Sequence, residues 1–300
     1  MRPRTLPEET TPSSSPIYTK GILWGVLVIA LLLSTTFYIV PQYRFYYVPE
    51  KLPLYTISTT HHDDTLRIAF IGDSWADYHT LLSGDTIIVN AAKKIYDHPV
   101  KVATRGKKGA VSKEVYFFMY SDKTEEHTYE PDRCTQPLIE GHPDYCVVFA
   151  GINDVTYQRP TGFYAENMRL IIRLLLHNGI RPVVMEIPIV NFTEPMQRKP
   201  LKEWLFYTLR PYLMLTWNNQ GEDYQSALRK MLAETKLEDS ILYISSKQWN
   251  PRGATDTTMF LSDNLHLNLE GYQRLDSCIA SEIIKDYTTR RQTNSGTCIY

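Results

Sequence analysis

The side chains best suited to catalysis in this chain are one serine and one histidine. Ser74 follows Gly72 and Asp73 after an apolar run that predicts a strand, so its hydroxyl should lie at the carboxyl edge of a sheet, where open α/β sheets bind ligands. Asp263 stands three residues before His266, just ahead of a predicted helix. At that spacing the carboxylate can orient the imidazole, and the imidazole can take a proton from a serine hydroxyl. Together these residues predict a nucleophile, a general base and an orienting acid.

Two further polar segments could supply hydrogen bonds to a substrate oxygen that becomes negatively charged. Residues 105 to 110 contain glycines, which let backbone N–H groups approach a ligand closely. Residues 151 to 154 place the amide of Asn153 at the same predicted edge. Taken singly, each of the four segments is more typical of an ordinary turn. Their common position, at the carboxyl ends of predicted strands or before a helix, favours one shared site.

In chain order the four segments resemble the four sequence blocks of the SGNH (GDSL-type) hydrolase family: Gly72-Asp73-Ser74, Gly109, Gly151-x-Asn153-Asp154 and Asp263-x-x-His266. The resemblance covers residues 66 to 287. It implies that Ser74 is the nucleophile, that His266 is the general base and that Asp263 is the orienting acid.

The resemblance also implies an oxyanion hole made of three donors. These are the backbone N–H groups of Ser74 and Gly109 and the side-chain amide of Asn153. Gly106, three residues before Gly109, is the alternative for the second donor.

Two tryptophans are candidate substrate contacts. Trp75 follows the serine at a position where a leucine is common in the family, so it either shapes an acyl pocket or packs in the core. Trp249 begins a segment, residues 249 to 253, that either contacts substrate or is plain surface.

The elements that must position these residues alternate between short apolar runs and segments of helical period, which predicts a parallel sheet covered by helices on both faces. The resemblance implies a flavodoxin-like three-layer α/β sandwich with a roughly five-stranded parallel sheet. The predicted strands are residues 66–71, 100–104, 145–150, 182–187 and 241–244. The predicted helices are residues 85–97, 112–120, 162–177, 200–217, 222–235 and 269–287.

The chain before this domain predicts a membrane anchor. Residues 21–40 carry no charge and are long enough to cross a hydrocarbon core of roughly 30 Å. A disordered tail, residues 1–20, precedes them, and a connector, residues 41–63, follows. The hydrolase-like domain is predicted at 64–290 and a tail at 291–300. Three Lys or Arg residues precede the apolar run and two follow it closely, a small bias that places the domain on the extracytoplasmic side.

The composition of the chain limits the classes of partner and ligand that it is expected to bind. With 32 Lys and Arg against 33 Asp and Glu, the chain lacks the basic excess of nucleic-acid binders, so none is expected. The four cysteines have no C-x-x-C spacing, and either two disulfides or free thiols fit them. Residues 61 to 64, two histidines and two aspartates, are more typical of a solvated turn than of a metal site, and no metal or cofactor is expected.

The chemistry expected from these residues is acyl transfer through an acyl-enzyme. The resemblance implies a serine esterase acting on an acylated carbohydrate or cell-envelope polysaccharide, with acetyl as the leading acyl group. A sugar hydroxyl as acceptor would instead make the protein an O-acyltransferase, and the same side chains serve both reactions. A non-catalytic, anchored scaffold that binds glycan or a partner protein is the remaining alternative.

Overall fold

The computed structural model describes residues 16–46, 49–56, 63–82, 84–122, 130–189, 200–202, 204, 220–253 and 256–296. The chain divides into two compact units, Met1–Tyr47 and Val48–Tyr300. The predicted tails, residues 1–20 and 291–300, lie partly outside the described residues, and so does most of the predicted helix 200–217. The histidines at 61 and 62 lie wholly outside them.

The first unit contains one helix, α1 (Pro16–Tyr46), within which the uncharged run 21–40 lies. Side chains are described for residues 20–36 of this helix, and all of them are exposed. Among the residues that the structure describes, no helix is both long enough and apolar enough to cross a membrane. The anchor at 21–40 therefore stays a prediction.

The second unit is built on one parallel sheet of five strands. They are β1 (Leu66–Gly72), β2 (Val100–Gly106), β3 (Tyr145–Phe149), β4 (Arg181–Met185) and β5 (Leu242–Ile244). Their order across the sheet is β2-β1-β3-β4-β5, with every neighbouring pair parallel. This is the flavodoxin-like order. The predicted α/β fold with a parallel sheet of about five strands is confirmed.

The burial of the strands explains why their sequences are almost continuously apolar. Every residue of β3 is buried, and so are all but one of β1, because helices cover both faces of the sheet centre. Strand β2 lies at an edge and alternates between half-buried and exposed positions. Alternation of that kind is expected where only one face of a strand meets the core.

The helices in the described residues of the second unit follow the strands in turn. They are α2 (Ser74–Leu81), α3 (Gly84–Lys93), α4 (Ser112–Phe118), α5 (Gln136–Glu140), α6 (Ile152–Thr156), α7 (Thr161–His177), α8 (Gly221–Thr235), α9 (Ser246–Trp249) and α10 (Leu269–Gly296). Helices α2, α3 and α10 pack together, whereas α7 packs with α4 and α8. The short helices α5, α6 and α9 were not among the sequence predictions, since four or five residues carry too little periodicity to detect.

Residues 49–56, at the start of the second unit, form a strap that packs against its helices. The hydroxyl of Tyr116 accepts a hydrogen bond from the N–H of Lys51 at 2.7 Å and donates one to its carbonyl oxygen at 2.8 Å. The N–H of Tyr55 donates to Asn178 at 2.9 Å, and its hydroxyl donates to the carbonyl of Met119 at 2.6 Å. This part of the predicted connector is therefore tied to the surface of α4 and α7.

The cysteines that the structure describes carry free thiols. They are Cys134, Cys146 and Cys278. Cys146 lies in the fully buried strand β3, and burial raises the pKa of its thiol. Of the two interpretations left open by the sequence, free thiols hold for these three residues, and Cys298 lies outside the described part.

Candidate active site

Ser74, His266 and Asp263 form one continuous hydrogen-bonded chain, although 192 positions separate the serine from the histidine. The distance from Ser74 Oγ to His266 Nε2 is 3.0 Å, and that from His266 Nδ1 to Asp263 Oδ2 is 2.6 Å. If Nδ1 carries the proton that is donated to the carboxylate, Nε2 is left to accept the hydroxyl proton of Ser74. The arrangement is that of a nucleophile, a base and an orienting acid.

Asp263 is held in its charged form by donors from its own loop. Its Oδ1 accepts hydrogen bonds from the N–H groups of Leu265 and His266, each at 2.9 Å. Partial burial alone would raise the pKa of this carboxyl, but the hydrogen bonds from the His266 ring and the two backbone N–H groups outweigh it, and the pKa is lowered. The loop closes through a 2.7 Å hydrogen bond from Leu261 N to the carbonyl of His266. The imidazole is therefore fixed from both its ring and its backbone.

Ser74 is the first residue of α2, and its neighbours define how the chain leaves β1. Asp73 caps the helix, since its Oδ1 accepts from the N–H of Trp75 at 2.9 Å. Gly72 has a φ of +152°, and a Cβ there would stand 2.0 Å from the carbonyl oxygen of Phe149. Only glycine permits that approach of β1 to β3. The N–H of Ser74 has no partner among the described residues, so it is available to a substrate oxygen.

The structure gives the two candidate glycines of the second block different roles. Gly109 has a φ of +76° and occupies the third position of a turn closed by a 3.1 Å hydrogen bond from Ala110 N to Lys107 O, as a type II turn requires. Its N–H has no partner in the described chain. Gly106 instead lets α2 pack on β2, because a Cβ there would lie 2.6 Å from the carbonyl oxygen of Asp73. The geometry thus favours Gly109 as the donor.

Asn153 and Asp154 join the third block to the second. Asn153 donates one amide hydrogen to the carbonyl of Ala110 at 2.9 Å, which leaves its other amide hydrogen for a substrate. Asp154 accepts hydrogen bonds from the N–H and the hydroxyl of Ser112, at 2.8 and 2.9 Å. Burial raises the pKa of Asp154 to about 7, although its bonds to Ser112 oppose the rise. These contacts hold the turn of Gly109 and the amide of Asn153 in one arrangement.

Comparison with known proteins decides the family. Residues 70–274, more than half of the chain, match the sequence model of the GDSL-like Lipase/Acylhydrolase family. The chain belongs to this family. The resemblance stated from the four blocks is thereby confirmed, and the protein is a GDSL/SGNH-family hydrolase of the esterase and lipase type. The sequence matches no curated protein.

Several solved structures are similar to this chain at low sequence identity. A lipase/acylhydrolase from Enterococcus faecalis is 15% identical with a TM-score of 0.50, over 73% of this chain and 95% of that one. A GDSL-like lipase from Bacteroides thetaiotaomicron is 17% identical with a TM-score of 0.48, over 73% and 88%. An acetylxylan esterase from Geobacillus stearothermophilus is 16% identical with a TM-score of 0.47, over 73% and 94%.

An aromatic ring and a cation flank the base of this hydrolase, and sequence reasoning did not identify either as part of the site. The ring of Tyr78 lies 4.6 Å from that of His266, and Lys108 Nζ lies 4.6 Å from the centre of the Tyr78 ring. Lys108 is also 3.6 Å from Asp77. The sequence signal that could have identified Tyr78 is its spacing. It stands four residues after Ser74, which is one turn along a helix.

Trp75 and Trp249 lie on the walls of one cavity. It is lined by Asp73, Trp75, Phe149, Ala150, Ile152, Met185, Glu186, Ile187, Pro188 and Trp249. The two indole rings meet edge to face with centres 5.8 Å apart. Both are buried, so the interpretation of Trp249 as plain surface is wrong. Both chain neighbours of Ser74 line this cavity, whereas Ser74 itself, Gly109, Asn153 and His266 do not.

Glu186 fixes the helix that carries Trp249. Its carboxylate accepts hydrogen bonds from Ser245 Oγ at 2.9 Å, from Ser246 N at 2.9 Å and from Tyr243 Oη at 2.6 Å. Burial would raise the pKa of Glu186, but these donors outweigh burial and lower it. A buried charge with several donors defines one geometry. The cavity wall formed by Trp249 is therefore held in place from the end of β4.

Proposed function

We propose that this hydrolase is a serine esterase that removes a short acyl group, acetyl foremost, from a carbohydrate ester through an acyl-enzyme. The observation that carries the proposal is the unbroken chain from Ser74 Oγ through His266 to Asp263, at 3.0 and 2.6 Å. It lies beside three donors that are free to bind a substrate oxygen: the N–H of Ser74, the N–H of Gly109 and one amide hydrogen of Asn153.

The proposed reaction has two halves. Ser74 Oγ attacks the ester carbonyl carbon while its proton passes to His266 Nε2, and the three donors stabilise the oxyanion. The bond to the alcohol then breaks, and His266 returns the proton to the departing oxygen. In the second half His266 takes a proton from water, and the resulting hydroxide attacks the acyl carbon. The bond from that carbon to Ser74 Oγ then breaks, and the imidazole returns its proton to Ser74.

The cavity lined by both chain neighbours of Ser74 supports a very small acyl group. Its lining is largely apolar, with Phe149, Met185 and the rings of Trp75 and Trp249 among its walls. Its accessible volume is only about 20 Å³, little more than the roughly 10 to 15 Å³ that one water molecule needs, so it fits only a very small group. Tyr78 and Lys108 at the other side of the base offer an aromatic face and a polar group, which suit a sugar ring.

Replacement of the nucleophile tests the proposal. Ser74→Ala removes the attacking oxygen, so kcat for p-nitrophenyl acetate and for acetylated oligosaccharides should fall by about 10³-fold or more. The matched control is Ser277→Ala on the exposed face of α10, whose hydroxyl bonds only within its own helix. Turnover by Ser74→Ala equal to that of the control would exclude this mechanism. Acylated sugar formed when an acceptor sugar is added would instead identify an O-acyltransferase.

We also propose that residues 21–40 anchor the hydrolase in a membrane with its catalytic unit on the extracytoplasmic side. The run has no charged residue. The apolar side chains described in it, those up to residue 36 and Leu31 and Leu32 among them, are exposed within their unit. Exposed apolar surface of this length favours a lipid environment.

A further inference from the structure

Helices α2 and α10 are joined by two buried polar contacts of matching spacing. The hydroxyl of Tyr272 donates a 2.8 Å hydrogen bond to the carbonyl oxygen of Trp75. One turn further along both helices, His79 Nε2 lies 3.1 Å from each carboxylate oxygen of Asp276. Each pair of contact residues is four positions apart on its helix, so the two contacts lie on facing sides of α2 and α10.

The second contact is a buried ion pair. His79 and Asp276 are both completely buried. Burial alone would lower the pKa of His79, but its hydrogen bond to Asp276 and the nearby carboxylate of Asp85 outweigh burial and raise the pKa to about 9. Asp85 approaches the other ring nitrogen to 3.3 Å, and the ring stacks on Phe70 with centres 4.5 Å apart. The imidazole is therefore enclosed by α3, β1 and α10 and has one orientation.

Buried ion pairs contribute little to net stability, because desolvation of the two charges offsets their attraction. An apolar pair would fill the same space without that cost. What the polar pair adds is directionality, since each hydrogen bond is satisfied at one distance and one angle. The contacts between α2 and α10 thus define how the two helices sit against each other.

Each of these helices begins at one half of the reactive pair. Helix α2 starts at Ser74, and α10 starts three residues after His266. Asn268 ties the base loop to α10, because its side chain accepts from Gly271 N at 3.0 Å while its amide donates to the carbonyl of Thr258 at 2.7 Å. The distance from Ser74 Oγ to His266 Nε2 therefore depends on the placement of α2 against α10.

We infer that Tyr272 and Asp276 are positioning residues of the esterase, which act through Trp75 and His79 to hold Ser74 within hydrogen-bonding distance of His266. This inference rests on the proposed function, since it assumes that Ser74 and His266 react. Tyr272 also contacts the first turn of α2 from the side opposite Asp73, so the backbone of Trp75 is held at its N–H and at its carbonyl oxygen.

Tyr272→Phe tests the inference with the smallest change. It removes one hydroxyl and keeps the ring that packs against His79. Because misplacement of reacting groups by an ångström can cost about 10²-fold in rate, a smaller displacement should lower kcat by about tenfold. KM should stay unchanged, since no substrate contact is lost. The rate at which a fluorophosphonate labels Ser74 should fall by a similar factor.

Tyr145→Phe is the matched control. Its hydroxyl also bonds to α10, at 2.7 Å from Asp286, but near the far end of that helix and at the start of β3. It should lower the melting temperature about as much as Tyr272→Phe and leave kcat unchanged. Equal kcat values for the two variants would overturn the inference, because the contact would then serve stability alone.

Asp276→Asn provides the second measurement. It keeps a hydrogen-bonding side chain of the same shape but removes the charge that faces His79, so kcat should again fall without a change in KM. If Tyr272→Phe does not fold, the kcat of Asp276→Asn decides whether the inference holds. If neither variant folds, the inference is contradicted. Ser74→Ala separates the two proposals: if it keeps full turnover, the proposed function is wrong, whereas its inactivity beside a fully active Tyr272→Phe rejects only the positioning role.

Discussion

The carboxylates around Ser74 differ in environment, and the differences fit different tasks. Asp263 has a lowered pKa and stays charged against the imidazole that it orients. Asp73 is buried completely, and burial together with the nearby Asp154 raises its pKa to about 8, against the opposing hydrogen bond from Trp75. A largely neutral Asp73 next to Ser74 adds no negative charge that would oppose the oxyanion of the proposed mechanism. Its role is that of a helix cap.

Asp73→Asn should change how stability depends on pH. A carboxyl whose pKa is raised on folding stabilises the protein fully below its unfolded value of 3.8, and that stability is lost as the pH rises through about 8. Asparagine does not ionise and can still accept from Trp75 N. The variant should therefore gain stability relative to the wild type as the pH rises from 4 to 8, by up to about 1.4 kcal/mol per unit.

Urea unfolding at pH 5, 6, 7 and 8 measures this difference. The control is Asp97→Asn, an exposed carboxyl in the turn after α3, which should keep the wild-type slope. A constant difference between Asp73→Asn and the wild type across these pH values would show that Asp73 ionises normally in the folded protein.

At the scale of elements, the site is built from turns that require glycine. Polar contacts hold these turns in place relative to one another. The left-handed turn at Gly109 and the start of α6 after Gly151 are neighbours, because Asn153 donates a hydrogen bond to the carbonyl of Ala110. Asp154 connects them through Ser112, the first residue of α4. The strap of residues 49–56 adds further polar ties, to Tyr116 in α4 and to the carbonyl of Met119 at its C-terminal end.

Tyr55→Phe should destabilise the second unit without changing its activity. It removes the hydrogen bond to the carbonyl of Met119, worth about 1 kcal/mol in the free energy of unfolding. Leu54→Ala, at a neighbouring strap position that is 73% exposed, should have almost no effect. Equal unfolding free energies for the two variants in urea titrations would show that the strap does not contribute to stability.

The sequence predicted the five strands to within two residues at either end, because fully buried parallel strands are apolar throughout and end at polar turns. It also predicted which segments meet at the sheet edge, since parallel strands share one carboxyl edge. It did not predict Tyr78, Tyr272 or Asp276 as parts of the site's support. Their partners lie on other elements, and in a single sequence they look like ordinary helix residues.

At the scale of the whole molecule, the two units present different surfaces. The second unit has a continuous core around its sheet, whereas residues 20–36 of the first unit expose large apolar side chains. The unit boundary after Tyr47 leaves the strap with the catalytic unit.

If residues 21–40 are an anchor, the full chain should stay in the membrane pellet after extraction with alkaline carbonate. Arginine near the centre of a spanning helix costs about 2.5 to 3.5 kcal/mol per residue, so Leu31→Arg with Leu32→Arg should move the protein toward the soluble fraction. Esterase activity of that variant should be unchanged. A full chain that is extracted as readily as the double variant would contradict the anchor.

The most direct test of the central claim is to locate the reactive oxygen by mass spectrometry after treatment of the full chain with a fluorophosphonate. A hydroxyl activated by His266 reacts with this probe, whereas an ordinary serine does not. The account predicts one adduct, on Ser74, which is lost in both Ser74→Ala and His266→Ala. An adduct that persists on Ser74 at full rate in His266→Ala, or that forms on another serine instead, would contradict it.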